Sequence, residues 1–125
     1  MRPPLIANEN GDFTFFASIE AMKGYIEAID VKNNEYEFFD AEGNEIVCKL
    51  TKKQKSNQKI FFGLISVVDC ERVHFELNGK NNAKKLKNAL LHFNNRYIKI
   101  NINPSWNIEQ IINTLVNSSK VDYIC

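Results

Sequence analysis

The chain has no Cys-x-x-Cys pair, no glycine-rich phosphate loop at a strand-to-helix junction and no apolar run near the roughly 20 residues that cross a bilayer. Its three cysteines, Cys48, Cys70 and Cys125, are odd in number and widely spaced. That arithmetic argues against a disulfide framework or a zinc site and fits thiols in a reducing compartment. The start, Met1-Arg2-Pro3-Pro4-Leu5-Ile6, lacks the apolar segment and small-residue cleavage site of a secretory signal, so a cytoplasmic location is expected. Only two histidines are present, His74 and His92, about 18 residues apart on different expected elements. A metal-free ribonuclease would need such an acid and base, but this spacing is unspecific, and no catalytic residue is assigned. Asp69, Cys70 and His74 lack a fourth ligand nearby, and neither a metal nor a cofactor is expected.

What is present suits one soluble globular domain spanning 1–125: 44% hydrophobic and 25% charged residues in a chain long enough to bury a core unaided. The net charge of +1 hides a division. Residues 1–47 hold ten acids and three bases, and the remainder holds five acids and 13 bases. Asymmetry of that kind points to an interaction surface on one half or the other.

Along the chain, Pro4–Ala7 and Asp12–Phe16 read as strands joined by an Asn10-Gly11 turn. Ser18 and Glu20 open a helix over about 18–28, with Ile19, Met22, Ile26 and Ile29 on one stripe and Gly24 placed for close packing on the sheet. After Asn33-Asn34, Tyr36 and Phe38 alternate with Glu35 and Glu37, so the carboxylates fall on an outer face; Ala41-Glu42-Gly43-Asn44 then turns the chain into Glu45–Leu50, where Ile46, Cys48 and Leu50 share a side. Lys52–Lys59 reads as a solvated loop and Ile60–Val68 as a central strand covered on both faces. A strand over 72–77 with Val73, Phe75 and Leu77 inward is expected to end at Asn78-Gly79. A helix over 82–95 follows, with Leu86, Ala89, Leu90 and Phe93 inward and a basic outer face. Tyr97–Ile102 alternates as a strand closed by Pro104. Asn107 and Gln110 form a capping pair for a last helix carrying Ile108, Ile111, Ile112 and Leu115, and 121–125 supplies an edge strand. The whole is an α+β fold, a largely antiparallel sheet of five to seven strands with about three helices.

Two charged surfaces compete for function. The carboxylates Asp30, Glu35, Glu37, Asp40, Glu42 and Glu45 form an acidic hairpin, which is either an ordinary solvated face or a protein-binding one. The segments 49–59 and 80–87 form a basic counterpart. Lys52, Lys53, Lys55, Lys84, Lys85 and Lys87 make a nucleic-acid-binding module the alternative, although Phe61, Phe62 and Tyr97, its possible stacking platforms, sit where a core needs aromatics.

Residues 4–43 carry a resemblance. Pro4-Leu5-Ile6, Glu9-Asn10-Gly11-Asp12, Phe16, Ser18, Glu20, Tyr25-Ile26-Glu27, Ile29–Tyr36 and Phe39-Asp40-Ala41-Glu42-Gly43 together resemble small bacterial immunity proteins of contact-dependent and related toxin systems. The resemblance implies a cytoplasmic protein without chemistry of its own that neutralises one cognate toxin. The physical fit is to a nuclease toxin, whose basic cleft an acidic hairpin can occlude. Asp30, Glu35, Glu37, Asp40, Glu42 and Glu45 are then the expected contact surface.

Overall fold

The computed structural model describes residues 1–27, 36–52 and 71–125. The expected loop beyond Lys52, the central strand Ile60–Val68 and positions 69 and 70 of the expected turn lie outside the described residues, as do Asp30 and Glu35, while Glu71 opens a strand.

The α+β expectation holds. Among the described residues six strands, β1 (Leu5–Glu9), β2 (Asp12–Phe16), β3 (Tyr36–Phe39), β4 (Asn44–Lys52), β5 (Glu71–Asn81) and β6 (Asp122–Ile124), form one sheet in the order β5-β4-β3-β1-β2-β6. Every pairing is antiparallel except β2 with β6, where the C-terminal edge strand runs alongside Thr14–Phe16 in parallel. Among the described residues three α-helices pack on the sheet: α1 (Ile19–Glu27), α2 (Ala83–Phe93) and α3 (Ile108–Asn117).

Both faces are covered. On one, Met22 and Ile26 of α1 meet Leu5, Ala7, Phe16, Phe38, Ile46, Val73 and Phe75. On the other, Leu86, Leu90 and Phe93 of α2 and Ile111, Ile112 and Leu115 of α3 meet Ile6, Phe13, Phe15 and Phe39. Period-2 alternation alone gives each strand one buried face, yet Phe38 and Phe39 are both buried because neighbours on β3 point into different cores.

Local chemistry sets the junctions. Asn10 and Gly11 take φ of 51° and 92°, which turns β1 into β2. Ser18 Oγ accepts from Ala21 N at 3.1 Å and caps α1. Asn107 Oδ1 accepts from Gln110 N at 2.8 Å while Gln110 Oε1 accepts from Asn107 N at 3.0 Å, the reciprocal cap expected for α3. At the far end of α1, Glu27 Oε2 accepts from Val73 N at 3.1 Å and covers one donor of β5.

Three expectations are corrected. Asn78-Gly79 does not end β5: Gly79, at φ 81°, bulges the strand, and the step from Ile46 to Asn44 on β4 is matched by the longer step from Leu77 to Asn81. Gly24 does not approach the sheet; a Cβ there meets nothing within 4 Å. Tyr97–Ile102 is not a strand. After Phe93 the helix widens into a π-helical turn, Asn94–Ile98, closed by Lys99 N donating to Asn94 O at 2.6 Å, with Lys99 in the left-handed region at φ 60°. The buried Asn94 amide donates to Ile100 O at 2.9 Å and accepts from Ile100 N at 3.1 Å, supplying the two bonds that a neighbouring strand would have made. Ile98, Ile100 and Ile102 still pack on the core, so the apolar period is real while the strand is not.

The open surroundings of Gly24 predict that Gly24→Ala raises folding stability by about 0.5–1 kcal/mol in chemical denaturation, through higher helix propensity and lower unfolded-state entropy.

Candidate functional site

The acidic hairpin β3–β4 is built around Asp40. Its Oδ1 accepts from Glu42 N and Asn44 N, both at 2.9 Å, and its Oδ2 accepts from Asn44 Nδ2 at 3.0 Å and Arg2 N at 3.3 Å. Asp40 is 1% exposed. A carboxylate so enclosed closes the turn and offers nothing to a partner, so Asp40 leaves the expected contact face.

The turn is pressed against the start of α2. Gly43 has φ 82°, and a Cβ at that position would lie 2.4 Å from Ala83 Cα and 2.8 Å from Ala83 N. Asn82 N donates to Gly43 O at 2.9 Å, and Asn81 Nδ2 donates to Glu42 O and to Asn44 Oδ1, each at 2.9 Å. The bulge in β5 is what brings Asn78 to Asn82 into reach, and sequence reasoning, which ended β5 there, missed these residues. A run of Asn-rich residues between a strand and a helix was the available signal.

The remaining described carboxylates differ in their company. Glu45 accepts from Asn78 Nδ2 at 3.3 Å and from Asn82 Nδ2, so amides orient it without neutralising it. Glu37 meets Lys85 Nζ of α2 at 2.7 Å, and that hydrogen bond, with the attraction of the same carboxylate, holds the Lys85 ammonium above its ordinary range. Glu42 is exposed and has no ion-pair partner among the described residues. Glu37 and Glu45 lie on the face of the sheet that carries α2, because they share register with Asn8 and Phe39. Glu76 of β5 is bound by Lys49 of β4 and lies 3.6 Å from His74 Nε2; the Lys49 hydrogen bond and charge pull its carboxyl below the ordinary range.

Of the basic residues, Lys84 is exposed, Lys85 is engaged by Glu37, and Lys87 is half-buried. Lys53, Lys55, Phe61 and Phe62 lie outside the described residues. Tyr97 is no core aromatic, since it is 57% exposed. His74 and His92 are both exposed, on β5 and α2. Burial raises the Cys48 thiol and keeps it protonated, and Cys125 is exposed. Among the described residues no group of three or more His, Cys, Asp or Glu is placed to hold a metal, and no helix is long and apolar enough to cross a membrane. Asp69 and Cys70, expected near His74, lie outside the described residues.

Comparison with protein-family models, curated proteins and solved structures gives no match.

Two outcomes follow from the geometry. Asp40→Asn places an amide donor against backbone and side-chain donors and lowers stability by about 1–3 kcal/mol in urea denaturation. Lys49→Gln moves the Glu76 carboxyl back toward its ordinary range, read by side-chain NMR titration. The sign follows from linkage: the pKa is lower folded than unfolded, so the stabilisation is present above the unfolded value and fades as pH falls through the folded one. Because Glu76 is exposed, high salt screens the difference.

Proposed function

We propose that this protein is a cytoplasmic immunity protein that binds and neutralises a cognate bacterial toxin, a basic nuclease domain, through the acidic β3–β4 hairpin and without catalysis. The observation that carries the reading is the anchored hairpin. Gly43 and Asp40 fix the turn on α2, with Glu42 exposed at the turn and Glu37 and Glu45 beside the start of α2.

Three physical consequences support it. A fixed loop loses little conformational entropy on binding, so a partner gains more from each contact. Glu42 and Glu45, which have no ion-pair partner among the described residues, steer a basic domain and speed encounter. An acidic projection also matches the phosphate-holding cleft that a nuclease needs, and it can fill that cleft without any reactive group of its own. The resemblance of residues 4–43 to immunity proteins points the same way. On this reading Asp40 supports the face from beneath.

The deciding experiment is co-expression with a candidate toxin, the C-terminal domain of any large exported protein found encoded immediately upstream, scored by growth. The expected outcome is protection by the wild type, and its loss or a 10-fold or greater fall in association rate when Glu37, Glu42 and Glu45 are all changed to Lys. The rate for the wild type falls steeply as salt rises. Absence of protection, or protection untouched by the triple charge reversal, overturns the assignment of this face. Salt-dependent RNA binding that survives the reversal supports the basic-surface alternative instead.

A further inference from the structure

An asparagine followed by glycine is the pair of residues most able to react with itself, because glycine brings no side chain to shield the peptide nitrogen and little resistance to the backbone angles that attack requires. The chain has two such pairs, Asn10-Gly11 and Asn78-Gly79. Their surroundings differ.

At Asn10-Gly11 the turn engages the attacking group. Gly11 N donates to Asn8 Oδ1 at 2.8 Å, and Asn10 is held at φ 51° inside the β1–β2 hairpin. At Asn78-Gly79 the nucleophile and its target are instead brought together. These residues lie in the bulge of β5, where Asn78–Lys80 stand against Glu45 alone, between the pairs Leu77 with Ile46 and Asn81 with Asn44. Asn78 and Gly79 are exposed, and a Cβ on Gly79 meets nothing within 4 Å, so water and space are both at hand. Lys80 N donates to Asn78 Oδ1 at 2.9 Å. The ring of atoms closed by that bond contains both Asn78 Cγ and the Gly79 nitrogen, so the carboxamide is folded back along the peptide that attacks it. The same N–H is aimed at the oxygen on which negative charge develops during attack, where a fixed donor lowers the barrier.

We propose that Asn78 is a self-modification site, converting to aspartate or isoaspartate without an enzyme. The Gly79 nitrogen gives its proton to hydroxide and forms a bond to Asn78 Cγ. The Cγ–Nδ2 bond breaks, and ammonia leaves with a proton taken from water. A second water opens the resulting cyclic imide at either carbonyl. The net change is loss of ammonia and gain of water, with no change of oxidation state.

The consequence falls on the candidate site. Asn78 Nδ2 donates to Glu45 Oε1 at 3.3 Å, so conversion replaces a donor with a carboxylate facing a carboxylate. Isoaspartate also adds a methylene to the backbone of the bulge that brings Asn81 to Glu42 and Asn82 to Gly43 and Glu45. The site stands on this local geometry, whichever partner the hairpin binds.

The test is incubation of the whole chain at mildly alkaline pH, with amide loss at each site followed by peptide mapping and mass spectrometry, in native buffer and in unfolding urea. In native buffer Asn78 is expected to convert about 2- to 10-fold faster than Asn10, the rate factor carried by one hydrogen bond on the Gly11 nitrogen. In urea the two rates are expected to converge. Conversion of Asn10 as fast as Asn78 in the native chain, or a ratio that urea leaves unchanged, overturns the proposal. Asn78→Asp, which reproduces one product, is expected to lower the urea midpoint at neutral pH, with part of the loss recovered in high salt. An unchanged midpoint overturns the coupling to the hairpin.

Discussion

The close approach of Gly43 to Ala83 is the constraint on which the candidate site depends. At that point the β3–β4 turn, the bulged end of β5 and the first turn of α2 occupy one small volume, and no side chain larger than hydrogen fits on the turn. The consequences run outward from it. Asn82 N can reach Gly43 O, Asn81 can tie Glu42 to Asn44, and the start of α2 is set so that Lys85 meets Glu37. Asp40 performs the complementary task from inside the turn, where four donors converge on its carboxylate. A hairpin tip would ordinarily be among the more mobile parts of a domain. Here it is held through backbone contacts from a segment about 40 residues later in sequence.

The same helix links that site to the core. Leu86, Leu90 and Phe93 of α2 are buried against Ile6, Phe13, Phe15 and Phe39, so the helix that holds the hairpin at its beginning is anchored along its length by apolar burial. Glu37 and Glu45 then project on the α2 side of the sheet because Phe38 and Ile46, their neighbours, point to the α1 side. The alternation that buries one aromatic on each face is also what aims the carboxylates.

Much of the fold was legible where short-range chemistry decides. Asn10-Gly11, the Ser18 cap, the Asn107 and Gln110 pair and the apolar stripes of α2 and α3 each state their conformation within a few residues, and each is found as expected. Errors arose where a distant partner determines the outcome. Ile98, Ile100 and Ile102 have a strand's period, but Asn94 satisfies Ile100 from within the chain and removes the need for a strand neighbour. Asn78-Gly79 has the composition of a strand end, but β4 continues beside it and the excess length is taken up as a bulge. Asp40 resembled its acidic neighbours in sequence; only the return of Arg2 and Asn44 to its two oxygens distinguishes it.

The division of charge along the chain also changes meaning in three dimensions. Charges of the two halves pair across the fold: Glu37 of the acidic half pairs with Lys85, and Arg2, one of the few early bases, pairs with Glu109 at 2.8 Å. Exposed pairs of this kind add little to stability, about 0–1 kcal/mol each, so their main effect is on the field presented to solvent. Among the described hairpin carboxylates, Glu37 is thereby partly compensated, while Glu45 is oriented by neutral amides and Glu42 is left open. An approaching cation therefore meets its strongest attraction at the turn itself, and only closer in competes with Lys85 for Glu37. For the proposed interface, that ordering assigns long-range steering to Glu42 and Glu45 and makes the Glu37 contact conditional on displacing an internal partner.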